Sequence, residues 1–213
     1  MESAANELLT LEPDGLQLTP GNAPTGDFLS TLADRNVVTR THHGFTPRAL
    51  RRPVWSSGGD CLTTADSVHP PRTSAPEWPA WEVARSHGAW RRHCLETMYP
   101  GYALGAGEDL DAAMDDSQPL AVDVSHLYMQ LHAGCLSGRT LRRLFDYDVV
   151  GEVHVSANDG RRDRHQPLVA DTFGLAWARE RLRSGTPVIV ECYMHRLDID
   201  GRRRQIDLMR GEP

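Results

Sequence analysis

Residues 151–168, GEVHVSANDGRRDRHQPL, join an apolar run typical of a strand to two histidines, His154 and His165, and to the carboxylate of Asp163. Imidazole and carboxylate groups are ligands that suit Zn, Mn and Fe ions in proteins. The stretch is therefore interpreted in two ways. It is either a charged surface loop or one wall of a metal site whose other walls lie elsewhere in the chain.

The same residue types recur where other predicted strands end. Glu96 ends RHCLE, Asp123 ends PLAVD with His126 three residues later, and Glu191 ends PVIVE. A carboxylate in an apolar strand is costly to bury unless it is paired or binds a cation. Because the functional residues of parallel barrels lie at the carboxyl ends of strands, these side chains are expected to share one site.

Two earlier strands end in histidine. In THHGF either His43 is the ligand and His42 a surface neighbour, or the reverse. In SVHPP the candidate is His69, which is either a ligand or an ordinary loop residue. One ion takes about four to six ligands, so the full set predicts two or three divalent ions, Zn, Mn or Fe. The predicted metal ligands are His43, His69, Glu96, Asp123, His126, His154, Asp163, His165 and Glu191.

Two further histidines are predicted to line a substrate pocket. His132 lies in LHAGC, and His195 follows the last predicted strand. The remaining two, His87 and His93, have no such position and are interpreted as structural or solvated.

The elements that position these side chains can be predicted from the sequence pattern. Short apolar runs alternate with longer amphipathic segments along the chain. That alternation is typical of βα units around a parallel sheet, which predicts an α/β fold. The strand candidates are residues 14–20, 36–42, 63–69, 92–98, 119–126, 149–156 and 187–193. The helix candidates are residues 27–35, 46–52, 77–90, 108–116, 137–147 and 171–184.

Composition limits the function classes. The chain of 213 residues is predicted to form one domain, residues 1–213, and no apolar run approaches the ~20 residues that span a bilayer. The net charge of -6 offers no general attraction for nucleic acid, so nucleic-acid binding is not expected. The acidic start without an apolar signal core predicts a cytoplasmic protein. Four widely spaced cysteines predict buried thiols rather than disulfides.

The order of these motifs resembles that of the xylose isomerase-like TIM-barrel superfamily, which includes sugar isomerases and epimerases and zinc-dependent apurinic endonucleases. The matching pieces are LETMYPG (95–101), AVDVSHLYM (121–129), EVHVSANDG (152–160), DRHQPL (163–168) and VIVEC (188–192). The resemblance implies a TIM-type (β/α) barrel, with the ligands Glu96, Asp123, His126, His154, Asp163, His165 and Glu191.

Compared with that family, the first βα unit is missing, because only seven strands are visible. Either the barrel is open, or a neighbouring subunit of a homo-oligomer covers the gap. The resemblance implies an isomerase or epimerase that acts on a small sugar-like or hydroxy-carbonyl substrate. A metal would polarise the carbonyl while Glu96 or Glu191 moves the proton.

Three alternatives remain. The stretch DRHQPLVADTFGLAWARERL is similar to a segment of multinuclear non-haem iron enzymes that oxidise peptide or small thiols, although their motif carries Asn where this chain has His126. A metal-dependent phosphodiesterase similar to the apurinic endonucleases is the second alternative. A barrel that has lost catalysis and serves in binding or assembly is the third.

Overall fold

Seven short strands pair in chain order, each parallel to the next, and form one curved sheet of barrel shape. The computed structural model describes residues 2–18, 25–44 and 66–211. The strands are β1 (Gly15–Leu18), β2 (Val38–Gly44), β3 (Ser67–His69), β4 (Cys94–Glu96), β5 (Leu120–Asp123), β6 (Val150–Val155) and β7 (Val188–Val190). The prediction of an α/β, TIM-type barrel that lacks one unit is confirmed.

Eight α-helices accompany the sheet in the described ranges. They are α1 (Glu2–Leu9), α2 (Gly26–Asp34), α3 (Trp78–Ser86), α4 (Gly107–Asp115), α5 (Val124–His132), α6 (Gly138–Phe145), α7 (Leu175–Arg183) and α8 (Ile199–Arg210). Helices α2, α3, α4, α6 and α7 fall within or beside predicted helices. The sequence did not predict α1, α5 and α8, and the helix predicted at 46–52 lies outside the described residues. No described helix is long and apolar enough to cross a membrane.

The start of α5 corrects one predicted boundary. The strand predicted over residues 119–126 ends at Asp123, and the helix begins at once with Val124. The Asp123 carboxylate causes this change, because its Oδ1 accepts hydrogen bonds from the backbone N–H groups of Ser125 (2.6 Å) and His126 (2.9 Å). An aspartate at this position satisfies the free donors of the first helical turn. His126 therefore lies on a helix rather than on a strand.

Side-chain alternation divides each strand between two environments. The outward residues, such as Val68, Leu95, Val122 and Val153, belong to the main apolar core between the sheet and its helices. Their neighbours point into the barrel, where the buried residues are mainly polar: Ser67, Glu96, Asp123, Glu152 and His154. The barrel interior therefore contains the buried polar side chains, while the apolar outer face of the sheet packs against the helices and stabilises the fold.

The barrel has a seam between β1 and β7, which do not pair with each other in the described part of the chain. A cavity of about 660 Å³ lies there, lined by both edge strands and by side chains of α1 and α8. These two helices contact each other, and Arg202 Nη1 lies 2.6 Å from Glu7 Oε2. The chain's own first and last helices thus flank the opening. The homo-oligomer that would cover it stays a prediction.

Candidate metal centre

Three side chains from strands β4, β5 and β6 and one from the residue that follows β7 converge at the carboxyl end of the barrel. One ligand atom from each of Glu96, Asp123, His154 and Glu191 lies within 4.8 Å of the others. His154 Nδ1 lies 3.0 Å from Glu191 Oε1 and 3.5 Å from Glu96 Oε1. Such a mixed set of one imidazole and three carboxylates could hold a divalent cation.

A second group shares His154. It consists of His42, Glu152 and His154, whose nitrogen and oxygen atoms also lie within 4.8 Å of one another. His42 Nε2 is 3.2 Å from Glu96 Oε2, which links this group to the first. His154 Nε2 is 2.6 Å from Glu152 Oε1. The two nitrogens of one imidazole therefore face two different carboxylate environments.

The stretch after β6 brings Asp163 and His165 to the same end of the barrel. Asp163 Oδ2 lies 3.5 Å from His126 Nε2 and 3.2 Å from His165 Nε2. His165 Nδ1 is 3.8 Å from Glu191 Oε2, so this trio borders the four-residue group. His165 has a φ of 45°, in the left-handed region, and the next residue, Gln166, pairs with Ala157 in an antiparallel bridge.

His69 lies at the border of these groups. Its ring centroid is 6.3 Å from that of His42, and its Nδ1 is 2.8 Å from the carbonyl oxygen of Pro70. Burial lowers the pKa of His69, although the charge of Glu96 acts in the opposite direction. A neutral imidazole with one nitrogen directed to a carbonyl is the form that binds metals.

The structure places His42, and not His43, among these side chains. Consecutive residues of β2 point to opposite faces, and His42 is paired in register with the inward residue Ser67. His43 is only 1% exposed, and neither of its ring nitrogens has a hydrogen-bond partner among the described residues. The assignment of His43 as a ligand is therefore replaced by His42, the alternative that the sequence left open.

The two predicted pocket histidines lie in different places. His195 is exposed and lines the seam cavity, as do Glu191 and His165. His132, also exposed, does not line that cavity; its ring stacks edge-on against Tyr128, with centroids 4.5 Å apart. The His132 ring also covers Gly160, where a Cβ atom would come within 2.3 Å of it.

Sequence reasoning missed Glu152, which is fully buried beside the candidate ligands. Its Oε1 accepts hydrogen bonds from Ser67 Oγ (2.7 Å) and Gln17 Nε2 (3.0 Å), and its Oε2 accepts one from Arg40 Nε. The available signal was its position: a charged residue inside the apolar strand VGEVHV, two residues before His154 and so on the same face.

Oppositely charged side chains lie close together in this buried site, and they shift one another's pKa. Burial opposes the charge of Glu96, but the charge of His42 and the close contacts with His154 and His42 lower its pKa well below the usual range. Burial also opposes the charge of His126, yet Asp123 and Asp163 raise its pKa to about 10. For Asp123, burial prevails and raises the pKa to about 6.

Several of these atoms are buried without a hydrogen-bond partner in the described structure. Buried polar groups normally have partners, so a convergent set without them points to a missing ligand. Lone-pair donors aimed at one space are what a divalent cation requires, and the residues present therefore fit a metal ion. The atoms are Glu96 Oε2, Asp123 Oδ2, His126 Nε2, His154 Nδ1, Asp163 Oδ1 and His165 Nδ1.

Comparison of the chain with protein-family models and with curated proteins finds no match.

Proposed function

We propose that this chain is a metal-dependent isomerase or epimerase of a small sugar-like or hydroxy-carbonyl substrate, similar to members of the xylose isomerase-like superfamily. The observation that carries the proposal is the four-residue group of Glu96, Asp123, His154 and Glu191. Two or three divalent ions, Zn, Mn or Fe, are proposed to bind to this group and its neighbours. A bound cation would polarise the substrate carbonyl and stabilise the negative charge that develops on oxygen.

Glu191 is proposed as the residue that moves the proton. Its side chain is 15% exposed and lines the seam cavity, whereas the side chain of Glu96 is 3% exposed and does not line it. Burial opposes the charge of Glu191, but the charge of the nearby His154 lowers the pKa, so the carboxylate is ionised at neutral pH. An ionised carboxylate at the cavity wall can take a proton from a carbon next to the carbonyl and return it to product.

The cavity suits a small molecule. Its volume of about 660 Å³ lies within the usual range for small-molecule sites. His165 and His195 also line it and would contact the substrate's hydroxyl groups, since imidazoles both donate and accept hydrogen bonds.

The proposal is tested by solvent exchange. The protein is loaded with Zn²⁺, Mn²⁺, Fe²⁺, Co²⁺ or Mg²⁺ and incubated in D₂O with a panel of ketohexoses and ketopentoses. Deuterium should enter the carbon next to the carbonyl, and Glu191→Gln should slow its entry by about 10²-fold or more. The control Glu82→Gln, an exposed position on α3, should leave the rate unchanged. No deuterium in any sugar with any of these metals would contradict the proposal.

A second candidate function rests on the ligands that exceed the needs of one ion. His126, Asp163 and His165 form a further group next to the first, which favours a multinuclear site such as that of non-haem iron enzymes that oxidise peptide or small thiols. That function predicts bound iron and oxygen consumption with a thiol. A protein that holds only zinc, and consumes no oxygen after iron loading, would contradict it.

A further inference from the structure

The two nitrogens of the His154 imidazole have different neighbours. Nδ1 is buried without a hydrogen-bond partner in the described structure and faces Glu191 and Glu96. Nε2 lies 2.6 Å from Glu152 Oε1. The Arg40 guanidinium forms an ion pair with the other oxygen, Glu152 Oε2, and an adjacent positive charge favours the ionised carboxylate. An ionised carboxylate can only accept hydrogen bonds, so Nε2 must carry the proton.

Glu152 is held by hydrogen-bond donors on both of its oxygens. Gln17, Ser67 and His154 approach Oε1, and Arg40 donates to Oε2. These residues come from β1, β2, β3 and β6, so four strands fix one carboxylate on the inside of the barrel. A carboxylate with donors on both of its oxygens has a single orientation.

We propose that Glu152 is a positioning residue, which holds the Nε2–H of His154 and so leaves Nδ1 as the metal-binding atom. The inference rests on the metal site proposed above and adds the residue that sets its geometry. A carboxylate that fixes the tautomer of a ligand histidine also makes the imidazole a stronger donor to the metal.

The competing role is that Glu152 itself binds a metal together with His42 and His154. In that arrangement Nε2 of His154, rather than Nδ1, would be the ligand, because Nε2 is the atom that faces Glu152. Two observations favour positioning. Both oxygens of Glu152 already accept hydrogen bonds, whereas Glu96 Oε2 and Asp123 Oδ2 have no such partner in the described structure. The Arg40 guanidinium on Glu152 would also repel a cation.

Glutamine cannot replace Glu152 in this role. If its amide oxygen faces Gln17, Ser67 and His154, its NH₂ group meets the Arg40 guanidinium, which also only donates. If the oxygen instead faces Arg40, the NH₂ group points at Nε2 of His154 and requires that nitrogen to accept. The proton then moves to Nδ1, the atom that should bind metal. Either orientation weakens the site.

The test is ¹⁵N NMR of the histidine rings in the Zn²⁺-loaded wild-type protein, with the His154 signals assigned through His154→Gln. The expected spectrum shows Nε2 of His154 protonated and Nδ1 bound to zinc. Zinc on Nε2 would overturn the inference while leaving the proposed metal site intact. Failure of the wild-type protein to bind zinc or any other divalent metal would overturn both.

Variants extend the test to affinity. Zn²⁺ affinity, measured by competition with a chromophoric chelator, should fall about 10–100-fold in Glu152→Gln. The matched control Glu82→Gln makes the same substitution at an exposed position on α3, and its affinity should equal that of the wild type. Equal affinities of wild type and a folded Glu152→Gln would contradict positioning. The wild-type spectrum decides the question if that variant does not fold.

Discussion

Replacement of Asp123 by asparagine should stabilise the metal-free protein and abolish its response to metal. The carboxylate has two separate roles. Its Oδ1 caps α5 by accepting from the N–H groups of Ser125 and His126, and asparagine keeps that oxygen. Its Oδ2 is buried without a hydrogen-bond partner in the described structure and is the atom that would bind the cation. The Asp123→Asn variant places an NH₂ group there instead.

The magnitude follows from the pKa of Asp123. Burial raises this pKa to about 6, and the charges of Glu191 and Glu96 act in the same direction against that of His126. One pKa unit corresponds to about 1.4 kcal/mol, so at pH 7 the ionised carboxylate destabilises the metal-free fold by about 2–3 kcal/mol. Because the folded pKa exceeds the unfolded one, this penalty is absent below about pH 4 and develops as pH rises through about 6.

The assay is urea denaturation of the chelator-treated protein at pH 7 and pH 4.5, without and with Zn²⁺. Asp123→Asn should raise the free energy of unfolding by about 1–3 kcal/mol at pH 7, and less at pH 4.5. Zn²⁺ at about 100 times its Kd should stabilise the wild type by about 2.7 kcal/mol and leave the variant unchanged.

Asp198→Asn is the matched control. Asp198 caps α8 through its side chain, which accepts from the N–H of Gly201, and it lies outside the candidate centre. Its variant should change stability by less than about 0.5 kcal/mol, because asparagine and aspartate cap helices about equally. A metal-free Asp123→Asn protein that is less stable than the wild type, or a variant that Zn²⁺ still stabilises, would refute the reasoning.

Two further predictions follow from the same structure. The pKa of His126 is raised to about 10 and that of His154 well above its usual value, so a metal must displace their protons. The metal affinity measured by calorimetry should therefore rise about tenfold per pH unit for each displaced proton, and an affinity that does not change between pH 6 and pH 8 would contradict this. Gly174 has a φ of 75°, and an added Cβ would lie 2.7 Å from Val124 Cβ, so Gly174→Ala should lower the free energy of thermal unfolding by about 1–3 kcal/mol. At Gly138 an added Cβ would make only an ordinary contact with Arg142 Nη1, at 3.7 Å, so Gly138→Ala should cost under about 0.5 kcal/mol, and equal effects would argue against the packing described.

The sheet could be predicted because each strand carries its own signal. Short apolar runs separated by amphipathic segments are typical of parallel βα units, and all seven predicted strands are present. The boundary at Asp123 could not be predicted from periodicity, since the apolar pattern continues from β5 into α5. Only the cap formed by the Asp123 carboxylate ends the strand there.

The candidate site, like the fold, could be predicted from the sequence only in part. Carboxylates and imidazoles at strand ends were visible in the sequence, and the structure brings Glu96, Asp123, His154 and Glu191 together. The choice between His42 and His43 depends on how β2 pairs with β3, which adjacent histidines do not reveal. Glu152 carried the same signal as His154, but its donors come from three other strands that only the folded barrel brings together.

The central claim is that the polar end of this barrel binds divalent metal. Elemental analysis of the purified protein, with protein concentration measured on the same sample, tests it most directly. We expect two or three equivalents of Zn, Mn or Fe per chain, with the content lost in Asp123→Asn. Less than about 0.1 equivalent of any divalent metal, both as purified and after equilibration with each of these ions, would contradict it.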